Sequence, residues 1–321
     1  MRNSPRVTRR ALLGSAAASA LVSCARNRRR RIAVLPKGTS HLFWLTVRAG
    51  AQAATDQFGV DLLWNGPPNE TEYGRQIEIM DSMIAQRVDG IAIAANERKA
   101  LVQSIDRAMS LGIPVTVFDS GVDSTNYLCF VATDNYEAGK MGARELARLM
   151  NGKGTVALAM NAPGSNSTME RERGFEDAIK AEFPAISIVA RQFGQSDTSR
   201  ARAVAENMLT AHPGLNGMFA SSEPSSLGTS LALKARSLAG KVKFVAFDSS
   251  DSLIEDMKAG VIDALLVQDP FKMGFEAVKT INDKLHGITP PKRLDLSARV
   301  VTKADLDKPD VQALLFPKIK N

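Results

Sequence analysis

The chain has 321 residues, of which 41 are basic, 34 acidic, three histidine and two cysteine. Nine arginines (Arg2, Arg6, Arg9, Arg10, Arg26 and Arg28 to Arg31) precede Ile32 and no Asp or Glu does, so residues 32–321 hold 32 basic against 34 acidic groups, a net of −2. A near-neutral body excludes the basic surface of a nucleic-acid binder, and a single cysteine within it leaves no disulfide framework.

Residues 1–23 have the form of a targeting segment: a basic start, then a small and apolar run from Ala11 to Val22. The run is shorter than the about 20 residues a bilayer span needs. Thr8-Arg9-Arg10-Ala11-Leu12-Leu13 leaves export by the twin-arginine route and by the general route both open. Leu21-Val22-Ser23-Cys24 resembles a lipobox, in which Cys24 is acylated and several acyl chains give stable anchoring. An ordinary cleavage site beside a chance cysteine is the alternative. Residues 24–31 would then be a basic tether, solvated or touching anionic headgroups. The other cysteine, Cys129, reads as a buried apolar residue in a strand.

Strand-like runs follow at 32–36, 60–64, 90–94, 114–118 and 128–132, then at 155–160, 186–192, 217–220, 242–247 and 264–268. Amphipathic stretches separate them, for example 43–57, 76–87, 138–150, 169–183, 199–211 and 252–258, several closed by glycine at Gly59, Gly112, Gly152 and Gly260. Such alternation predicts an α/β protein whose parallel sheets are wound by helices on both faces. Ten strands in two sets of five, broken near 133–135, predict two similar doubly wound lobes. Ligands of such sheets sit beyond the carboxyl ends of the strands, so the residues after each strand become the candidates.

After the first strand come Ser40-His41-Leu42-Phe43-Trp44, and after the fourth comes Asp119. The sixth leads to a helix opening Met169-Glu170-Arg171-Glu172-Arg173-Gly174-Phe175, and the eighth to Ser221-Ser222-Glu223. The ninth ends at Asp248 and the tenth at Gln268. Carboxylates accept from adjacent sugar hydroxyls, an arginine fork donates to two oxygens, and ring C–H faces pack on aromatic planes. Bland alternatives stand beside these. Phe43 and Trp44 could be core, Asp119 and Asp248 could cap turns, and Arg173 could pair with Glu176 or Asp177. Ser167 with Glu170 reads as a capping box. No phosphate-cradling loop, nucleophile elbow, His-Glu-x-x-His or metal-spaced cysteine pair occurs, so no enzyme and no cofactor or metal is expected.

From Ile32 to about Val301 the chain resembles the type I periplasmic sugar-binding proteins, the ribose-binding-protein-like group. The carrying pieces are Ser40 to Trp44, Ile113-Pro114-Val115-Thr116-Val117-Phe118-Asp119, Thr133-Asp134-Asn135 with Gly139, Arg171 to Phe175, Val245-Ala246-Phe247-Asp248 and Val267-Gln268. The resemblance implies that Phe43 and Trp44 pack on the sugar, Asp119 and Asp248 bind its hydroxyls, Arg173 bonds its oxygens and Gln268 adds an amide near the hinge. It departs at His41, Ala94, Ser120 and Ser222, where the ribose binders carry other polar groups, and no aromatic fills the place near Gln195 or Ser196. A site discriminates strongly through such groups, so a sugar or polyol other than ribose is expected.

The resulting expectation is two lobes joined by a hinge crossed near 133–135, 268–270 and 289–296. Residues 32–133 with 270–290 form the N-terminal lobe, and 135–267 with 296–321 the C-terminal lobe. The resemblance implies a monomer in the periplasm or on the outer face of the envelope, delivering its ligand to an ABC permease and its ATPase, with membrane contact only through the anchor at Cys24. A sensor serving a chemoreceptor or histidine kinase is the rival. A lactose-repressor-type regulator would need a helix-turn-helix where the export signal lies.

Overall fold

A computed structural model describes residues 28–317. The expected signal segment and Cys24 lie outside the described residues, while Arg31, placed in the tether by sequence, begins the first strand. Its amide donates to Asp89 at 2.7 Å, which draws the end of the basic run into the fold.

The first half builds β1 (Arg31–Leu35), α1 (Leu42–Phe58), β2 (Asp61–Trp64), α2 (Tyr73–Ala85), β3 (Gly90–Ile93), α3 (Val102–Ser110), β4 (Val115–Phe118) and β5 (Cys129–Thr133). The second builds α4 (Asn135–Leu149), β6 (Gly154–Met160), α5 (Asn166–Glu182), β7 (Ile186–Phe193), α6 (Thr198–Ala211), β8 (Gly217–Ala220), α7 (Glu223–Ala235), β9 (Lys243–Phe247), α8 (Asp251–Lys258) and β10 (Ala264–Val267). The chain closes with α9 (Pro270–Leu285), β11 (Arg293–Leu296), β12 (Arg299–Thr302) and α10 (Pro309–Leu315).

Two six-stranded sheets result, ordered β11-β5-β4-β3-β1-β2 and β12-β10-β9-β8-β6-β7. All pairings are parallel except that of β10 with β12. The central strands are apolar on both faces because helices cover both. In β1, Ile32 and Val34 face one buried cluster while Ala33 and Leu35 face another; Phe244 and Ala246 alternate with Val245 and Phe247 in β9 in the same way. Cys129 is buried in β5, and burial pushes its thiol up to about 11. The sixth strand of each sheet escaped the sequence pattern. β11 reads Arg-Leu-Asp-Leu and β12 Arg-Val-Val-Thr, edge strands of four residues without the continuous apolar run of their neighbours.

The chain passes between the sheets three times. The first passage is at Asp134, before α4, which packs on β8, β9 and β12. The second is at Gln268-Asp269, before α9, which packs on α1 and β4. The third is at Ser297-Ala298, later than the 289–296 connection expected, because β11 stays with the first sheet. Two of the crossing segments are tied together where the Thr133 hydroxyl donates to Gln268 Oε1 at 2.8 Å.

Each lobe brings a pair of helices into backbone contact through glycine. A Cβ on Gly50 would stand 1.8 Å from the Phe271 carbonyl oxygen, fixing α1 against α9. A Cβ on Gly139 would stand 2.0 Å from the Arg171 carbonyl oxygen, fixing α4 against α5. Only a residue without Cβ permits either approach, and the second seats the arginine that matters below.

Candidate functional site

β4 and β9 end in the same way. The amides of Asp119 and Asp248 each donate once more to a neighbouring strand, to Val131 at 2.9 Å and Leu266 at 2.8 Å. The backbone then turns left-handed, with φ of 56° and 68°, a region that Asp tolerates better than most residues. Both side chains thereby face a cavity between the lobes. Seven of the eight residues expected to contact ligand line it: His41, Phe43, Trp44, Asp119, Ser222, Asp248 and Gln268.

Arg173 does not. Its guanidinium lies on the outer face of α5 over the Tyr136 ring, and it pairs with Glu170 rather than Glu176 or Asp177. Arg171 lines the cavity in its place, 2% exposed. Two residues along a helix is about 200° of rotation, so only one of the two arginines can face inward. Arg171 Nε donates to Asn135 Oδ1 at 2.8 Å and Nη1 to the Ser221 carbonyl at 2.9 Å. The guanidinium stacks 3.9 Å from the Phe247 ring centroid and stands 4.0 Å from Asp248. Its Nη2 makes no hydrogen bond among the described residues. The expected capping box is also absent. Ser165, not Ser167, is the N-cap of α5, and the Ser167 hydroxyl accepts from Lys37 instead.

On the N-terminal side, Trp44 is both core and cavity wall. It is 1% exposed, meets Phe43 edge to face at 4.9 Å, and donates its Nε1 to Glu70 Oε1 at 2.8 Å. His41 Nδ1 lies 3.2 Å from the same oxygen and Lys37 Nζ 3.6 Å from the other. Burial alone would raise the Glu70 carboxyl, but Lys37, His41 and Trp44 together hold it well below the usual carboxylate range. Burial pulls the His41 imidazole down, yet its contact with Glu70 leaves it above its ordinary value. Asp119 stands 3.5 Å from Lys37 and is raised by burial, against the pull of Lys37 and Arg171. Its Oδ2, the oxygen that faces Lys37, is buried and accepts no hydrogen bond among the described residues.

On the C-terminal side Asp248 is held by Gln268 Nε2 at 2.7 Å and by the Glu223 amide at 2.9 Å. Burial raises it, with Arg171 and Gln268 opposing. The Ser222 hydroxyl donates to Asn161 Oδ1 at 3.0 Å. Of the other sequence departures, Ala94 is wholly buried and Ser120 accepts the Ser167 amide at 3.3 Å. Sequence reasoning missed Lys37, Glu70, Asn161, Thr168, Arg171 and Glu223 as cavity residues. Lys37 and Asn161 each stand within two residues of a strand end, where the positional rule could have found them. Glu70 sits six residues beyond β2 in a loop, with no local signal.

The lobes also touch directly. Lys37 Nζ donates to Ser165 and Ser167 at 3.1 and 3.3 Å, and the Phe43 amide donates to Glu223 Oε2 at 3.0 Å. The Arg98 amide donates to the Gly164 carbonyl at 3.1 Å and the Gly121 amide to Asn166 Oδ1 at 3.2 Å. The structure is therefore the closed form of a two-lobed cleft.

Residues 32–289 match the periplasmic binding protein domain family. The chain is 30% identical over 275 residues to the D-ribose/D-allose-binding protein of Pseudomonas aeruginosa, covering 83% of this chain and 85% of that one. It superposes on a carbohydrate transporter solute-binding protein from Agrobacterium radiobacter in complex with D-arabinose, with TM-score 0.87, 32% identity and coverage of 89% and 99%. A solute-binding protein from Agrobacterium vitis with bound D-fucose gives TM-score 0.87 and 31% identity, covering 89% of this chain and 100% of that one. These relatives are sugar-binding transport proteins, not enzymes. With two parallel-sheet lobes closing on one polar cavity, the chain belongs to the type I periplasmic sugar-binding proteins.

Proposed function

We propose that this protein captures a small sugar or polyol between its lobes and delivers it to an ABC import permease. One observation carries the reading: an interlobe cavity has aromatic planes and carboxylates from one lobe, and a guanidinium, carboxylates and an amide from the other. The ligand contacts are His41, Phe43, Trp44, Asp119, Arg171, Ser222, Asp248 and Gln268. Only the closed form offers both sets of contacts, so a ligand that makes them favours closure. Relatives with bound D-arabinose and D-fucose support the sugar class. Export by the N-terminal segment, acylation at Cys24 and action as a monomer belong to the same proposal. The first two rest on Leu21-Val22-Ser23-Cys24 and the basic start. They are tested by labelling cells with a radioactive fatty acid, where Cys24→Ala should lose the label.

A thermal-shift screen of the protein against pentoses, hexoses and polyols tests the ligand class, because a ligand that binds only the folded state raises the melting temperature. A shift by an amino acid or aromatic compound, with none by any sugar or polyol, would sink the sugar reading. Service to a chemoreceptor or histidine kinase uses the same closed form. Growth of a deletion strain on the identified sugar separates the two: a transporter component is needed for growth, a sensor is not.

A further inference from the structure

Glu223 is not among the residues that the family resemblance assigns to ligand, yet it is where the lobes meet at the cavity. It is the first residue of α7, is 6% exposed, and accepts the Phe43 amide across the cleft at 3.0 Å. That amide is one of the first-turn donors of α1, which have no partner within their own helix. The carboxylate thus lies at two helix N-termini, its own and that of α1, and both favour negative charge. The titratable groups facing it are His41, on the approach to α1, and Asp248, at the end of β9. Among the described residues no cation lies within ion-pair distance of it. Burial pushes its carboxyl up to about 7; the Phe43 amide opposes the rise, and Asp248 adds to it.

We propose that Glu223 is a positioning residue that clamps the first turn of α1 to the C-terminal lobe and so sets the Phe43 ring against the ligand. The assignment rests on the sugar-binding reading above. Phe43 is the second residue of α1, two past the N-cap His41, so what holds its amide in the first turn holds its ring. Closure buries the carboxyl, and opening returns it toward its ordinary value of 4.5. The closed form therefore binds more protons between 4.5 and about 7. Affinity rises as pH falls through that window and is lost as pH rises through about 7. A shift of this size makes the loss about tenfold between pH 6 and pH 8.

Calorimetric titration with D-ribose, D-allose, D-arabinose and D-fucose at pH 6 and pH 8 tests the assignment. For a sugar that binds, the wild type should weaken about tenfold from pH 6 to pH 8. Glu223→Gln keeps an acceptor oxygen but cannot ionise, so it should bind nearly equally at both. Glu223→Ala should bind more weakly than Glu223→Gln at both. A Glu223→Gln variant with the wild-type slope, or Glu223→Ala with wild-type affinity, overturns the clamp and leaves the sugar reading standing. If none of the four sugars binds, the sugar reading loses its support and the clamp is judged without ligand. Small-angle scattering at pH 6 should then give Glu223→Ala a larger radius of gyration than wild type and Glu223→Gln; equal radii overturn the clamp.

Discussion

Behind the cleft of the N-terminal lobe, Glu70 is paired with Lys37, hydrogen-bonded by Trp44 and His41, and held below the usual carboxylate range. Behind the cleft of the C-terminal lobe, Glu172 accepts only the Ser221 hydroxyl at 2.7 Å and the Asn161 amide at 3.0 Å. Burial pushes it up to about 7. The backbones around the two acids are alike: parallel sheets, a left-handed aspartate after the equivalent strand, and a glycine-mediated helix crossing. The difference lies in where each lobe puts its cation. The N-terminal lobe uses Lys37 on Glu70, on Asp119 and on the opposite lobe's serines, so that both of its acids share one cation. The C-terminal lobe holds Arg171 in the cavity wall, where Nη2 makes no hydrogen bond among the described residues. One lobe offers acceptors to a ligand, and the other offers the strongest donor.

The largest effect should come from breaking that division at its donor. Arg171→Ala removes charge-assisted hydrogen bonds to the ligand from a buried site. At about 3 kcal/mol this weakens binding about a hundredfold. Arg173→Ala, on the solvent side of the same helix, should leave affinity within about twofold, since an exposed ion pair contributes little. Titration of the two variants with the same sugar checks this, and equal losses would put the wrong arginine in the site. Asp119→Asn keeps the shape but halves the acceptors on the other side. It should cost about tenfold, the scale of one hydrogen bond to a charged group.

Lys37→Met tests the N-terminal half of the comparison through stability. It leaves Glu70 buried without its cation, a change that costs about 3–5 kcal/mol. Glu70 has a lowered pKa in the folded state, so its stabilising contribution is present above its ordinary 4.5 and is lost as pH falls below that value. The deficit of the variant should therefore be largest near neutral pH and shrink in acid. Denaturant unfolding at pH 7 and pH 4 reads both, and a deficit that is constant with pH would detach Glu70 from Lys37.

Most of the fold was legible because its central strands are buried on both faces and therefore apolar without interruption, as in Ile32 to Leu35 and Phe244 to Phe247. The edge strands β11 and β12 were not, because partial exposure lets Arg293, Asp295 and Arg299 into them. The positional rule for parallel sheets reached Asp119, Asp248 and Gln268, whose places depend only on where a strand stops. It could not choose between Arg171 and Arg173. That choice turns on the rotation of α5, which Gly139 and Gly174 set by contact with α4. Glu70 was beyond it for a different reason, and Glu223, which it reached after β8, could not be given a role for the same reason. Their roles exist only through Lys37 and Phe43, partners 33 and 180 residues away or across the cleft, and no local pattern encodes such a pair.

The C-terminal half of the comparison is sharpened by Glu172, where the expected effect is smallest. It is 3% exposed, makes no ion pair among the described residues, and its Oε2 is buried without a partner. Its pKa is raised by folding, so the folded state holds a proton that the unfolded state releases between 4.5 and about 7. Stability contributed this way is complete below 4.5 and is lost as pH rises through about 7, the reverse of Glu70. Glu172→Gln keeps an acceptor for Ser221 and Asn161 and removes the titration. Between pH 6 and pH 8 the wild type should lose stability on the order of 1–2 kcal/mol more than the variant does. Melting temperatures of both proteins without ligand decide it. If the two curves run parallel across that interval, Glu172 is already compensated in the folded lobe, and the electrostatic contrast between the lobes disappears.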